Sequence, residues 1–215
     1  MDIRVNSKLL LDERLINNWE DMLDAYRKRI AEHGLKHKAL FYPNEELHTI
    51  KLAHISRIIN ILIMPEDSVL DVGCGMGDIT IFMPPCNYKG IDIVSEFIEE
   101  AQKRYPGLRF ECGNLMDVNE KFDWVILLGM MGTVPMPEQL LQKSWGLATK
   151  GLIVDFIDTQ KYQGYLNSYD LGNCTNFFLS LGAQQIHLYP TPRTNWTFYV
   201  VQKRSIWLNA VTESA

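Results

Sequence analysis

Apolar positions recur along the chain in two rhythms, helical spacing in some stretches and short unbroken Val/Ile/Leu runs in others. From Leu11 to Ile30, the residues Leu15, Ile16, Trp19, Met22, Leu23, Tyr26 and Ile30 fall at helical spacing with charges between them, and Gly34 supplies a stop. Asn44 is placed to cap a second helix, which Pro65 ends. Beyond it, Ser68 to Val72 predicts a first strand, Asp78 to Met83 a short helix, and Tyr88 to Asp92 a second strand. Ser95 is expected to cap the next helix, whose early glutamates and late Lys103 and Arg104 suit the macrodipole. Strands follow at Leu108 to Cys112, Phe122 to Leu128 and Leu152 to Ile157, with a helix from Pro137 to Thr149. A helical stretch from Asn167 to Leu181 leads to two closing strands, Gln184 to Tyr189 and Trp196 to Gln202, joined by the turn Pro190-Thr191-Pro192-Arg193-Thr194. The alternation predicts an α/β fold with a doubly wound seven-stranded sheet. It is mostly parallel, with the last strand antiparallel because its connection is short, and helices precede it at the N-terminus.

The length of 215 residues suits one domain with a small appendage. We divide the chain into an N-terminal helical lid or extension, residues 1–44, and a main domain, residues 45–215. An apolar fraction of 47% with 22% charged residues matches a soluble globular protein and sets disorder aside. The net charge of −5 comes with no dense basic run, so nucleic acid is not an expected partner. No apolar stretch is long enough for a bilayer and the first residues lack the apolar core of a leader, which predicts a cytoplasmic protein without a membrane partner. Cys74, Cys86, Cys112 and Cys174 show no C-x-x-C spacing and are expected to be buried free thiols, with no metal site.

The candidate chemistry lies where the first strand ends, in Asp71-Val72-Gly73-Cys74-Gly75-Met76-Gly77. Glycines at that point let the backbone turn tightly and approach a ligand. In a doubly wound sheet, ligands bind beyond the carboxyl ends of the strands where strand order reverses, which gathers this turn, Asp92 and the segment after Leu128. Asp92 stands about twenty residues past the turn, the offset at which an acid accepts hydrogen bonds from ribose hydroxyls. Asn114, at the end of the third strand, can bond the exocyclic amine of an adenine. The spacing G-x-G-x-G differs from the G-x-G-x-x-G of dinucleotide binders, and no G-x-x-x-x-G-K-[ST] loop for ATP occurs.

Asp71-Val72-Gly73-Cys74-Gly75-Met76-Gly77, then Gly90-Ile91-Asp92, then Phe122-Asp123-Trp124-Val125 resemble the class I S-adenosylmethionine-dependent methyltransferases. Thr149-Lys150-Gly151-Leu152-Ile153-Val154 is similar to the family's entry into the fifth strand, and the closing strand pair to its antiparallel end. The resemblance implies a Rossmann-like fold and S-adenosylmethionine as cofactor, released as S-adenosylhomocysteine, with no metal. It implies that Gly73, Gly75 and Gly77 approach the methionine part, that Asp92 holds the ribose, and that Asn114 and Leu115 flank the adenine. Asp71, Cys74, Ile93, Leu128 and Gly129 complete the implied cofactor set. Asn114 stands where the family more commonly has aspartate, and an amide oxygen can still accept from the adenine amine.

Such enzymes displace the methyl in line, so a general base is optional. His48 and His54 in the N-terminal helical region and Asp155 near the end of the fifth strand are the candidate catalytic residues, each with an ordinary structural role as the alternative. The stretch after Leu128 carries neither Asn/Asp-Pro-Pro-Tyr nor Pro-Cys, which disfavours nucleobase methylation. The expected function is methyl transfer to an oxygen or nitrogen of a small-molecule acceptor. The rival expectations are a non-catalytic S-adenosylmethionine-binding module acting through a partner, and an RNA or protein methyltransferase.

Overall fold

The computed structural model describes residues 3, 9–11, 14–162, 164–191 and 194–204. Within them a short antiparallel pair, β1 (Leu9–Leu11) and β2 (Arg14–Ile16), precedes the first helix, so α1 runs from Trp19 to His33 instead of starting at Leu11. Leu11 and Ile16 are buried while Leu10 and Leu15 are exposed. That is strand alternation, which a few apolar residues ahead of a helix do not distinguish from helical spacing. Asn18 opens α1 by accepting from the Asp21 N–H, and Gly34, at φ 68°, closes it by donating its N–H to the Ile30 carbonyl. After a single 3-10 turn at His37–Leu40, Asn44 caps α2 (Glu45–Leu62) by accepting from the Leu47 N–H.

The main sheet contains β3 (Ser68–Val72), β4 (Asn87–Asp92), β5 (Arg109–Cys112), β6 (Phe122–Leu127), β7 (Ala148–Ile157), β8 (Gln185–Pro190) and β9 (Trp196–Gln202). Their order is β5-β4-β3-β6-β7-β9-β8, and strand order reverses between β3 and β6. The first five strands are parallel, and β9 runs antiparallel to both β7 and β8. The expected seven-stranded, mostly parallel sheet with an antiparallel last strand is the fold. Side chains alternate across it. Leu70, Val72, Val125, Leu127, Leu152 and Val154 join the core on one face, under α4 (Pro137–Leu147) and α5 (Leu171–Ser180). Val69, Trp124, Ile126 and Ile153 join Ile55, Ile58 and Ile59 of α2 on the other. Each such side chain taken from water contributes roughly 1.5 to 3 kcal/mol, so α2 is held by its apolar stripe.

Local expectations shift in several places. Asp78–Phe82 forms a 3-10 turn where a short helix was expected. Val94, not Ser95, occupies the cap position of α3 (Ser95–Arg104), and the Ser95 hydroxyl donates to Glu96. α5 begins at Leu171, where Asp170 caps it by accepting from the Asn173 N–H, while the Asn167 amide is drawn aside to donate to the Val134 carbonyl. All four cysteines are free, but only Cys74 and Cys174 are buried, and Cys112 is exposed because β5 is an edge strand. Pro192 and Arg193 of the closing turn lie outside the described residues, as do residues 1–2 of the first expected region and 205–215 of the second. No helix among the described residues is long and apolar enough to cross a membrane.

Candidate active site

β3 delivers the chain into Gly73-Cys74-Gly75-Met76-Gly77, and the three glycines take φ values of 66°, 55° and 77°. This left-handed region is cheap only without a Cβ. At Gly73 an added Cβ would lie 3.0 Å from the Met130 sulfur. At Gly77 it would lie 2.8 Å from the Phe110 ring, so that glycine answers to packing beneath the turn. Gly77 does not line the cleft, whereas Gly73, Cys74 and Gly75 do.

Asp92 ends β4 beside the turn. Its two carboxylate oxygens accept from the Gly75 and Val94 N–H groups, each at 2.9 Å. Burial pushes its pKa up to about 6, and these backbone donors only partly offset that. Asp71 is 2% exposed and accepts from the Tyr88 hydroxyl at 2.8 Å. Burial takes its pKa to about 7. Across the cleft, Asn114 accepts from the Met116 N–H at 3.0 Å and so caps the short turn at Leu115–Asp117. Asn114 thereby acts as a turn cap, and it still lines the cleft together with Leu115 and Ile93.

These residues bound one cleft of about 1060 Å³ of atom-free space, with Leu128 and Gly129 on its far wall and Trp19, Met22 and Tyr26 of α1 above it. α1 is tied there by a 3.0 Å hydrogen bond between the hydroxyls of Tyr26 and Thr133. At its other end α2 contributes His48, whose Nε2 lies 3.7 Å from Asp78 and whose ring packs on Tyr42 at 4.5 Å between centroids. Burial lowers the pKa of His48, which Asp78 opposes. His54 is not brought to the cleft, because its position on α2 stacks it on Phe198 at 5.6 Å and 18°. Asp155 lies in an adjoining hollow of about 330 Å³ that shares Tyr42, Lys51, Gly129 and Thr133 with the cleft. There its carboxylate sits 2.7 Å from the Lys51 ammonium, with the two side chains 3% and 1% exposed, and accepts from the Gly129 N–H at 2.6 Å.

Lys51 and Trp196 also belong to the site, joining Tyr42 of the loop that precedes α2. For Lys51 the signal was present, since 48, 51, 52 and 55 share one helical face and a lysine stands among its apolar residues. Trp196 depends on register: β9 runs against β7 and pairs Trp196 with Ile157, which brings the start of β9 to the carboxyl ends of the parallel strands. Among the described residues no three potential ligands gather into a metal site.

A glycine turn and a buried acid thus meet at the switch point of the sheet. Residues 69–151 match a family model described as a methyltransferase domain. Over 92 residues the chain is 36% identical to the mitochondrial ubiquinone biosynthesis O-methyltransferase of Saccharomyces cerevisiae. That match takes in 38% of this chain and spans only 30% of the relative's length. Among solved structures, magnesium protoporphyrin IX methyltransferase from Synechocystis PCC 6803, with S-adenosylmethionine bound, superposes with a TM-score of 0.68 at 15% identity, covering 85% of this chain and 97% of that one. A possible histamine N-methyltransferase from Thermotoga maritima superposes with a TM-score of 0.64 at 15% identity, covering 85% of this chain and 100% of that one. At such identity these two likenesses establish the fold.

Proposed function

We propose that the protein is an S-adenosylmethionine-dependent methyltransferase acting on an oxygen or nitrogen of a small-molecule acceptor. The observation that carries the reading is the convergence of the glycine turn, Asp92 and Asn114 on one cleft at the switch point of the sheet. The residues fit an adenosine-bearing ligand. The Asp92 carboxylate faces the cleft with only backbone donors, and a vicinal diol adds the hydroxyl donors that its ionised form lacks. Ile93 and Leu115 offer apolar faces for a base, and Gly73 and Gly75 keep the backbone open to the remainder of the ligand. Asp71 acts from beneath the turn, and Cys74, Leu128 and Gly129 complete the wall.

Bound there, S-adenosylmethionine supplies an electrophilic methyl group on a sulfonium. The work left to the chain is positioning and exclusion of water. α1 closes the cleft from above and supports reading the N-terminal region as a lid. The roof that α1 makes over the cleft favours a small acceptor over an RNA or a protein. His48, with its pKa lowered, is held neutral and can accept a proton from a hydroxyl or amine acceptor. The yeast relative is an O-methyltransferase and a structural neighbour a possible N-methyltransferase, so both acceptor atoms stay in the proposal. The four free thiols support a reducing, cytoplasmic setting.

The test is release of S-adenosylhomocysteine when the protein is incubated with S-adenosylmethionine and fractionated small metabolites. Turnover dependent on one fraction is the expected result. Cofactor binding without turnover in any fraction would instead make the chain a binding module that acts through a partner.

A further inference from the structure

Resting on that reading, we propose that the hollow behind Gly129 is the acceptor subsite, and that Lys51 holds there the ionised oxygen of a flat, apolar oxygen acid such as a phenol. The ammonium is 1% exposed and belongs to the walls of both the cleft and the hollow, whereas Asp155 belongs to the hollow alone. The ion pair therefore presents its cationic end toward the place assigned to the methyl donor. Asp155 is occupied by Lys51 and by the Gly129 N–H, which makes it the residue that positions Lys51.

Lys51 retains one proton to donate: Asp155, 2.7 Å away, and the Tyr42 hydroxyl take two of the three that an ammonium carries. The rings of Tyr42 and Trp196 face it at 5.5 and 5.0 Å. The hollow is walled by Phe41, Tyr42, Ile157, Leu166 and Trp196 about its polar groups Lys51, Asp155 and Thr133, which suits a ring that carries one oxygen. Gly129, at φ 80°, lets the Tyr42 hydroxyl and the Lys51 ammonium close onto the backbone between cleft and hollow, because a Cβ there would lie 2.5 Å from the one and 3.1 Å from the other.

The transfer balances without a base. The ionised oxygen uses its electron pair to form the oxygen–methyl bond as the methyl–sulfur bond breaks, and that bonding pair leaves on the neutral thioether. No proton moves. Asp155 on β7, Tyr42 ahead of α2 and His48 one turn earlier on α2, with Asp78 behind it, are the titratable groups around the ammonium. Burial pulls the Lys51 pKa down, but Asp155 and Tyr42 outweigh it and hold it above the ordinary lysine value.

The probe is 4-nitrophenol, whose phenolate absorbs visible light, added to the full chain with S-adenosylhomocysteine present. An opposite charge at contact should lower the probe's ionisation midpoint by about 1 to 3 units. Lys51→Gln combined with Asp155→Asn, which removes both charges together, should abolish the shift while S-adenosylhomocysteine still binds. Lys51→Arg should retain it. On the unaltered protein, 4-nitrophenolate should bind at least about tenfold tighter than the neutral 4-nitroanisole. S-adenosylhomocysteine binding with no midpoint shift, a shift that survives in the double variant, or equal affinity for the two probes would overturn the assignment of Lys51. Failure of the unaltered chain to bind S-adenosylhomocysteine is a separate result that overturns the proposed function, and the subsite with it.

Discussion

Two carboxyls sit at the carboxyl ends of β3 and β4, and burial raises both above the ordinary aspartate value, to about 7 for Asp71 and about 6 for Asp92. Asp71 gives the cleaner consequence because it is 2% exposed. Its folded pKa lies above its unfolded one, so folding favours the protonated form. Its contribution to stability is present below the unfolded value and is lost as pH rises through about 7. Asp71→Asn keeps an acceptor for the Tyr88 hydroxyl and removes the charge. It should raise the melting temperature at about pH 8 and leave it nearly unchanged at about pH 4. Thermal melts of both proteins at the two pH values check this, and a pH-independent difference would contradict it. Asp71, Asp92 and the glycines were legible in the sequence because their demands are local, a positive φ here and an acid at a fixed offset there. Lys51 showed only as a lysine on the apolar face of α2, without its partner, and Trp196 not at all, because Asp155 and the register of β9 belong to β7 and its neighbour, far along the chain.

α2 is the element that joins cofactor and acceptor ends, since one face of it carries His48, Lys51, Leu52 and Ile55 into the cleft. Its Asn44 cap was legible from residue type and the run that follows, and Asn44→Ala should cost about 1 kcal/mol in a denaturant titration. Lys51→Met should cost more, roughly 3 to 5 kcal/mol, because it leaves the Asp155 carboxylate buried without its counter-charge. A Lys51→Met cost no larger than that of the cap variant would show that the ion pair is solvated, against its burial. Other elements were misread for physical reasons. The β1–β2 pair is too short for period-two alternation to declare itself, and Ser95, a good capping residue by type, falls one position inside α3.

Across the whole molecule, the mostly parallel, doubly wound character of the sheet followed from the alternation of strands and helices, and the antiparallel direction of β9 from the short turn before it. Which parts roof the cleft did not follow, because nothing in the pattern of α1 says which way Trp19, Met22 and Tyr26 face. The Tyr26–Thr133 bond holds that roof against the segment after β6, and the edge contact of Tyr26 with Phe41, at 5.2 Å, holds it against the loop ahead of α2. A lid implies that ligand and roof stabilise each other. Limited proteolysis should therefore cut residues 14–44 more slowly when S-adenosylhomocysteine is present, and unchanged cleavage would count against the lid.

The assignment of the cleft to S-adenosylmethionine is tested most directly by a calorimetric titration with S-adenosylhomocysteine, in the unaltered chain and in Asp92→Ala. We expect binding at one site in the first and at least about tenfold weaker binding in the second, as loss of a charge-assisted bond requires. Equal affinities in the two proteins would contradict the account.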